Sequence, residues 1–213
     1  MWAFAKLQFL DRPLCAAIAL EVQARIAAGS ADFDSAAFAG ITWSFATLGY
    51  FDAPLLAAIS AAARARIWEC RTQELSNPAW SLATMSVADL PLLDAISAAA
   101  IAKISQFETQ HLTNTAWAFA RIVVCDWPLS SAIAAAALGS IGSIDVQGLA
   151  NMVWSMARLQ FNDAPLLDSI SSASCARISE FTSQELGNTA WSFAKLQLLH
   201  LPLMESISAE AIR

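Results

Sequence analysis

The side chains best suited to binding chemistry recur at intervals of 37 residues. In each complete set a glutamine precedes an asparagine by four residues, and a lysine or arginine can follow that asparagine by seven. Amides can pair with base edges, and cations with phosphates. The amides are Gln73, Gln110, Gln147, Gln184, Asn77, Asn114, Asn151 and Asn188, and the cations are Lys6, Arg121, Arg158 and Lys195. This pattern indicates an extended binding surface.

A tryptophan stands within every copy of the pattern, and copy positions are counted from it below. The six anchors are Trp2, Trp43, Trp80, Trp117, Trp154 and Trp191. The first interval is 41 residues, with the extra residues within the segment 27–32, and the other four intervals are 37. A proline, a leucine and an isoleucine follow each anchor by 11, 12 and 16 residues. Self-similarity with a period in the thirties predicts a helical solenoid.

Each copy is expected to form two helices. In the third copy, helix A is predicted over about residues 73–85, and Asp89 caps a helix B that has Pro91 in its first turn and ends near Gln106. The predicted fold is therefore all-α, an α-α superhelical solenoid of two-helix 37-residue repeats. Residues 1–213 are expected to be a single array of about six units. Because the first helix A starts close to Trp2, we expect a fragment of a longer array.

Two faces of helix A can be separated by turning 100° per residue. Positions −5, −1, +2, +3 and +6 are predicted to face the core, and positions −7, −3, +1, +4 and +8 to form a polar face. The polar face then also includes Ser44, Ser81, Ser155 and Ser192 at position +1. The anchors are interpreted as packing residues. Variable residues at position −2, namely Pro78, Thr115, Met152 and Thr189, are expected to provide any sequence code.

Structural roles for the polar positions remain open alternatives. The asparagines could form a ladder that satisfies backbone groups between neighbouring copies. The glutamines lie in the first turn of helix A and could assist its cap. The cations lie in its last turn, where they favour the helix dipole.

The charge balance is acidic, with a net charge of −6 and a pI near 4.8. However, thirteen of the eighteen acidic residues have predicted places at helix N-termini, which favour negative charge. Eight of the twelve basic residues occur at two copy positions, +4 and +23. The residues at +23 are Arg25, Arg66, Lys103 and Arg177. Net charge therefore does not describe the potential of one face.

Catalytic, metal and membrane functions lack sequence support. His111 and His200 occupy unrelated copy positions, and His200 replaces the aspartate that caps helix B elsewhere. The four cysteines form no CxxC pair, and there is no glycine-rich phosphate loop. The uncharged run from Trp127 to Ile144 is predicted to include a buried helix of the array. We therefore expect no catalytic residues, no metal, no cofactor, no small-molecule substrate and no membrane.

The repeat resembles a known family. The pattern Gln-x-Leu-x-Asn-x-Ala-Trp-x-Phe-Ala-x-Leu, present in Gln184 to Leu196 and nearly so in Gln110 to Ile122, is similar to octotricopeptide and heptatricopeptide repeats. Related repeats precede RAP domains. The resemblance implies an α-α superhelix that acts on RNA in a chloroplast or mitochondrion, in processing, stability or translation. No transit peptide is visible at the N-terminus.

The combined expectation is a non-catalytic RNA-binding helical-repeat protein. Single-stranded RNA would lie along the helix A face, with the asparagines on bases or backbone and the cations on phosphates. The alternative is a protein–protein interaction scaffold that uses the same concave face.

Overall fold

The computed structural model describes residues 1–29 and 34–212. Within those residues the regular secondary structure is entirely helical, with twelve α-helices and four short 3-10 helices. The all-α prediction is therefore confirmed. The chain divides into two compact units, Met1–Ala102 and Lys103–Arg213, and each is described by itself. Residues 30–32 of the segment 27–32, which was expected to contain the extra residues, lie outside the described residues.

Helices A and B alternate along the chain as predicted. Helix A of successive copies is α1 (Trp2–Lys6), α3 (Ser35–Thr47), α5 (Thr72–Thr84), α7 (Thr109–Arg121), α9 (Val146–Leu159) and α11 (Ser183–Lys195). Helix B is α2 (Arg12–Ala27), α4 (Ala53–Ala65), α6 (Leu90–Ala102), α8 (Trp127–Ser140), α10 (Ala164–Ala176) and α12 (Leu201–Ala211). The predicted end of helix B near Gln106 is wrong, because α6 ends at Ala102. A separate 3-10 turn, Ile104–Gln106, follows it.

Side-chain caps fix the start of helix B. Asp89 Oδ1 accepts a hydrogen bond of 3.1 Å from the backbone N–H of Leu92. Asp11, Asp52, Asp126 and Asp163 make the equivalent bond in their copies, at 2.8–3.0 Å. His200 takes the same place in the last copy, where its Nδ1 accepts from Leu203 N–H at 3.2 Å. The predicted aspartate caps are confirmed, and each contributes about 1 kcal/mol.

Helix A ends in a left-handed residue in all six copies. This residue, at position +6, is Gln8, Gly49, Ser86, Val123, Gln160 or Gln197, with φ between 53° and 64°. In the third copy Ser86 N–H donates to the carbonyl of Ala83, and Val87 N–H donates to that of Leu82, which is the Schellman pattern. The assignment of position +6 to the core face is therefore wrong, because the chain has already left the helix there.

Within each unit the core lies between the A and B helices. Leu75 and Leu82 of α5 and Leu92 and Ile96 of α6 are at most 3% exposed. In the first unit α1, α3 and α5 pack in order, and in the second unit α9 packs between α7 and α11. Equivalent positions of helix A are thereby brought side by side within each unit.

The uncharged segment forms a short helix of the array. Helix α8 spans Trp127–Ser140 and buries Leu129, Ile133, Ala134 and Ala137. Among the described residues, no helix combines the length and apolar character that crossing a bilayer requires.

Candidate nucleic-acid interface

The cations at position +4 are exposed and stand apart from acidic side chains. Arg121, Arg158 and Lys195 lie in the last turns of α7, α9 and α11, the three stacked A helices of the second unit. Lys6 ends α1 in the first unit. Within the described residues, none of these four cations forms an ion pair. None of these charges is therefore offset by an acidic partner.

Three of the four cations at position +23 form ion pairs with acidic side chains. Arg25 pairs with Glu21 at 2.6 Å and Arg66 with Glu69 at 2.8 Å. Arg177 pairs with Glu180 at 3.0 Å, and Lys103 also has an interaction partner. The two basic positions, which carry equal numbers of cations in the sequence, thus differ in their local partners.

The acidic residues of helix A are confined to its first turn. Across the A helices of the described chain, the only acidic residues are Glu74 and Glu185. Both close capping boxes: Glu74 accepts from Arg71 N–H at 2.9 Å, and Glu185 from Thr182 N–H at 2.7 Å. Beyond that turn, the charged side chains of the A helices are all cations, although the whole chain is acidic.

The amide side chains remain available for binding. The four glutamines at position −7 are exposed, and the four asparagines at position −3 are half-buried. Within the described part of the chain these eight amide groups make no hydrogen bond. The structure thus contains neither the asparagine ladder nor glutamine participation in the helix cap. Buried polar groups would require such partners, whereas these groups reach solvent.

The serines at position +1 do not belong to the exposed surface, which corrects the predicted polar face. Ser81, Ser155 and Ser192 are at most 2% exposed. Each donates from Oγ to the backbone carbonyl of the asparagine one turn earlier, at 2.6–2.7 Å. Ser44, which is also buried, does the same to Gly40. A hydroxyl satisfied inside the helix tolerates burial, and this position lies at the border between the two faces.

The residues proposed to provide a sequence code are buried, and that prediction is wrong. Thr115, Met152 and Thr189 are at most 1% exposed, and Pro78 is buried within α5. The hydroxyls of Thr115 and Thr189 lack hydrogen-bond partners in the core. Position −2 therefore cannot contact a ligand on the helix A surface.

The six anchors differ in how far they are exposed to solvent. Trp2 is 62% exposed and Trp191 is 45% exposed, while the other four are half-buried. The Lys6 ammonium lies 5.6 Å from the centroid of the Trp2 ring and 5.4 Å from that of Trp43. At 100° per residue the anchor is only about 40° from position +4, so the sequence already indicated that the anchor lies close to the cation-bearing face. The half-buried anchors agree with their interpretation as packing residues that border the core, whereas Trp2 in the first copy and Trp191 in the last copy are exposed.

The described residues contain no cluster of three or more side chains suited to a metal. His111 packs edge-on against Phe107, and burial lowers the pKa of its imidazole, partly offset by Glu108. His200 is engaged as a helix cap. Neither histidine is placed beside a nucleophile in these contacts.

The fold and this surface define an all-α helical-repeat protein with exposed, unpaired cations on its A helices. A family model described as RNA-editing substrate-binding complex 6 protein (RESC6) matches residues 1–213, so the chain belongs to this family. This is a different family from the octotricopeptide and heptatricopeptide repeats that the sequence resembles, although both are connected with RNA. A search of curated proteins finds no match to the chain.

Proposed function

We propose that the chain is a non-catalytic protein that holds single-stranded RNA within an RNA-editing substrate-binding complex. The observation that carries this proposal is the contrast between the two basic positions. Lys6, Arg121, Arg158 and Lys195 are free of acidic partners, whereas the cations at position +23 are engaged. Unpaired cations repeated at one register suit the regularly spaced phosphates of a nucleic acid.

The amides would act beside these cations. In the second unit Asn114, Asn151 and Asn188 lie one to two turns before the cation of the same helix, with Gln110, Gln147 and Gln184 a further turn away. In the first unit Gln73 and Asn77 occupy the same positions of α5. Amides both donate and accept, so they can meet base edges or ribose hydroxyls. Because the same amide recurs, these positions provide contact and no sequence code.

The family name supports a role in RNA editing more directly than roles in RNA stability or translation. Of the two compartments that the repeat resemblance implies, we propose the mitochondrion, which is compatible with the family. A chloroplast location would rest on the resemblance alone. Binding of one base per copy, as in other helical-repeat readers, is the register that we propose for the RNA.

A protein-interaction scaffold is the second candidate. Exposed apolar side chains gather where helix A turns into helix B: Phe9, Phe51 and Leu90 in the first unit are 52–59% exposed. In the second unit Trp127 and Leu201 at the same connection are 51% and 58% exposed. Apolar groups at this edge are suited to a protein surface. These residues lie at the connection to helix B, whereas the cations lie in the last turn of helix A.

Binding of a single-stranded RNA pool at increasing salt concentration tests the proposal. The test variant replaces Lys6, Arg121, Arg158 and Lys195 with alanine. The slope of log K against log salt is expected to become shallower by about 0.7 for each phosphate that the variant no longer neutralises. Absence of binding at low salt, or an unchanged slope in this variant, would contradict RNA binding and favour the scaffold.

A matched pair of variants separates position from charge. Arg121→Gln/Arg158→Gln removes two unpaired cations, and Arg25→Gln/Arg66→Gln removes two paired ones, so both variants change the net charge equally. Only the first is expected to flatten the salt dependence. Equal effects would show that binding responds to net charge and not to the helix A face.

A further inference from the structure

We infer that the anchor tryptophans form stacking sites for the bases of a single-stranded nucleic acid, next to the cations that hold its phosphates. This inference rests on the proposed RNA binding and adds the element that contacts the bases. It assigns a ligand-binding role to the exposed sides of Trp2, Trp43 and Trp191. The amides alone leave the flat faces of the bases in contact with water, whereas an indole can cover them.

The first support is placement on the helix. In four copies the cation at position +4 stands one turn after its anchor, so the ring and the charge share one face of helix A. In α11 this places Trp191, at 45% exposure, beside the exposed Lys195. The adjacent Ser192 and Phe193 are at most 2% exposed. These neighbours are therefore buried although the outer part of the indole stays in solvent.

The second support is the arrangement at Lys6. Its ammonium lies within 6 Å of the centroids of both Trp2 on α1 and Trp43 on α3. A cation over an aromatic ring at this distance approaches the face of the ring, not its edge. Lys6 therefore occupies one face of each of these two rings, which leaves the opposite face of the 62% exposed Trp2 for a base. An aromatic face beside a cation is the combination that nonspecific single-strand binders present to a base and its phosphate.

Charge complementarity identifies the occupant. The A helices contain no acidic residue beyond the first turn, and in four of the six copies a cation stands one turn after the indole, which favours a polyanion. Every base has a π-face, whereas paired bases in a duplex keep theirs stacked on one another. The expected ligand is therefore single-stranded, with little preference for sequence. A protein partner would require apolar or acidic groups at this face and would not depend on unstacked bases.

Three probes of equal length test the inference: single-stranded RNA, an abasic ribose-phosphate strand, and the same RNA as a duplex. The wild-type protein is expected to bind the single strand more tightly than the abasic strand, by about 5- to 150-fold for each stacked base. Intrinsic tryptophan fluorescence should be quenched by the RNA and much less by the abasic strand. This comparison uses the unmodified protein, so it does not depend on whether variants fold.

Variants then locate the stacking. Trp2→Leu and Trp191→Leu keep an apolar side chain and are expected to lose affinity for RNA while their affinity for the abasic strand is unchanged. Trp68→Leu is the matched control, because Trp68 is 61% exposed on the 3-10 turn Ile67–Glu69, outside helix A. It is expected to bind RNA as the wild-type protein does.

The outcomes distinguish this inference from the proposed function. Equal affinity for RNA and the abasic strand would overturn base stacking and leave phosphate binding intact. Equal losses of affinity in Trp2→Leu, Trp191→Leu and Trp68→Leu would also overturn it. Absence of binding to either strand would overturn both proposals.

Discussion

Arg177 donates a hydrogen bond of 2.6 Å from Nη1 to the backbone carbonyl oxygen of Ile144. Ile144 is buried in the turn that leads into α9, and Arg177 follows α10, 33 residues later. The same guanidinium pairs with Glu180 through its other nitrogens. This arginine therefore joins the turns at the two ends of one repeat, which gives the cation at this position a structural role.

Replacing Arg177 by methionine is expected to lower the free energy of unfolding by about 1–2 kcal/mol, because the substitution removes a charge-assisted hydrogen bond to a partly buried carbonyl. Urea unfolding followed by circular dichroism measures the change. Arg25→Met provides the control: its pair with Glu21 is exposed and should contribute less than about 0.5 kcal/mol. Equal effects of the two substitutions would contradict a bridging role for Arg177.

Val123→Gly is expected to stabilise the second unit. Val123 has φ of 58° and is 50% exposed, so a β-branched residue occupies a left-handed position while burying little surface. Removing its Cβ relieves about 1–2 kcal/mol of strain in the folded state. Glycine also raises the conformational entropy of the unfolded state, which lowers the free energy of unfolding by about 0.5–1 kcal/mol. The net gain should be about 0.5–1 kcal/mol in urea unfolding.

The reverse substitution, Gly49→Val, tests the same reasoning in the first unit. Gly49 has φ of 64°, and a Cβ placed there meets no atom within 4 Å, so backbone conformation alone determines the cost. A decrease of about 1 kcal/mol in the free energy of unfolding is expected. Unchanged stability in both variants would contradict a shared conformational penalty at position +6.

The free energy of unfolding should fall as the pH is lowered and His111 becomes protonated. Burial lowers the pKa of the His111 imidazole below its ordinary value, so the folded state binds this proton less readily than the unfolded state. Its contribution is therefore fully present above the ordinary histidine pKa of about 6.5 and is lost as pH falls through the folded value. Thermal unfolding at a series of pH values between about 7.5 and 5, where most carboxylates remain ionised, should show a falling Tm. His111→Gln should weaken that dependence, and an identical profile would contradict it.

The repeat made much of the fold predictable. Three residues held at constant distances from each tryptophan, together with a cap aspartate in five copies, determined where helix B begins. The end of helix A was not predicted, because Gln8, Ser86 and Val123 are not residue types that indicate a left-handed conformation. There the tertiary packing of the next helix overrides local preference.

The candidate site was predicted less completely than the fold. Angular position alone placed Ser81 and Ser192 on the polar face, but whether a border position is buried depends on how closely the neighbouring copy approaches. The distinction between the two sets of cations did have a sequence signal. Glu69 and Glu180 follow their arginines by three residues, a spacing at which side chains meet on a helical turn.

The position of the cap aspartates has a consequence for how such an array can grow. In the copies anchored at Trp2, Trp117 and Trp154, the +4 cation is followed five residues later by the aspartate that starts helix B. Duplication of such a copy adds, at these two positions, one exposed positive charge on helix A and one negative charge that caps helix B. Under the proposed function, the RNA-binding surface can thus lengthen without the protein becoming basic. An array that lengthens in this way keeps a net negative charge, which disfavours nonspecific binding to nucleic acids.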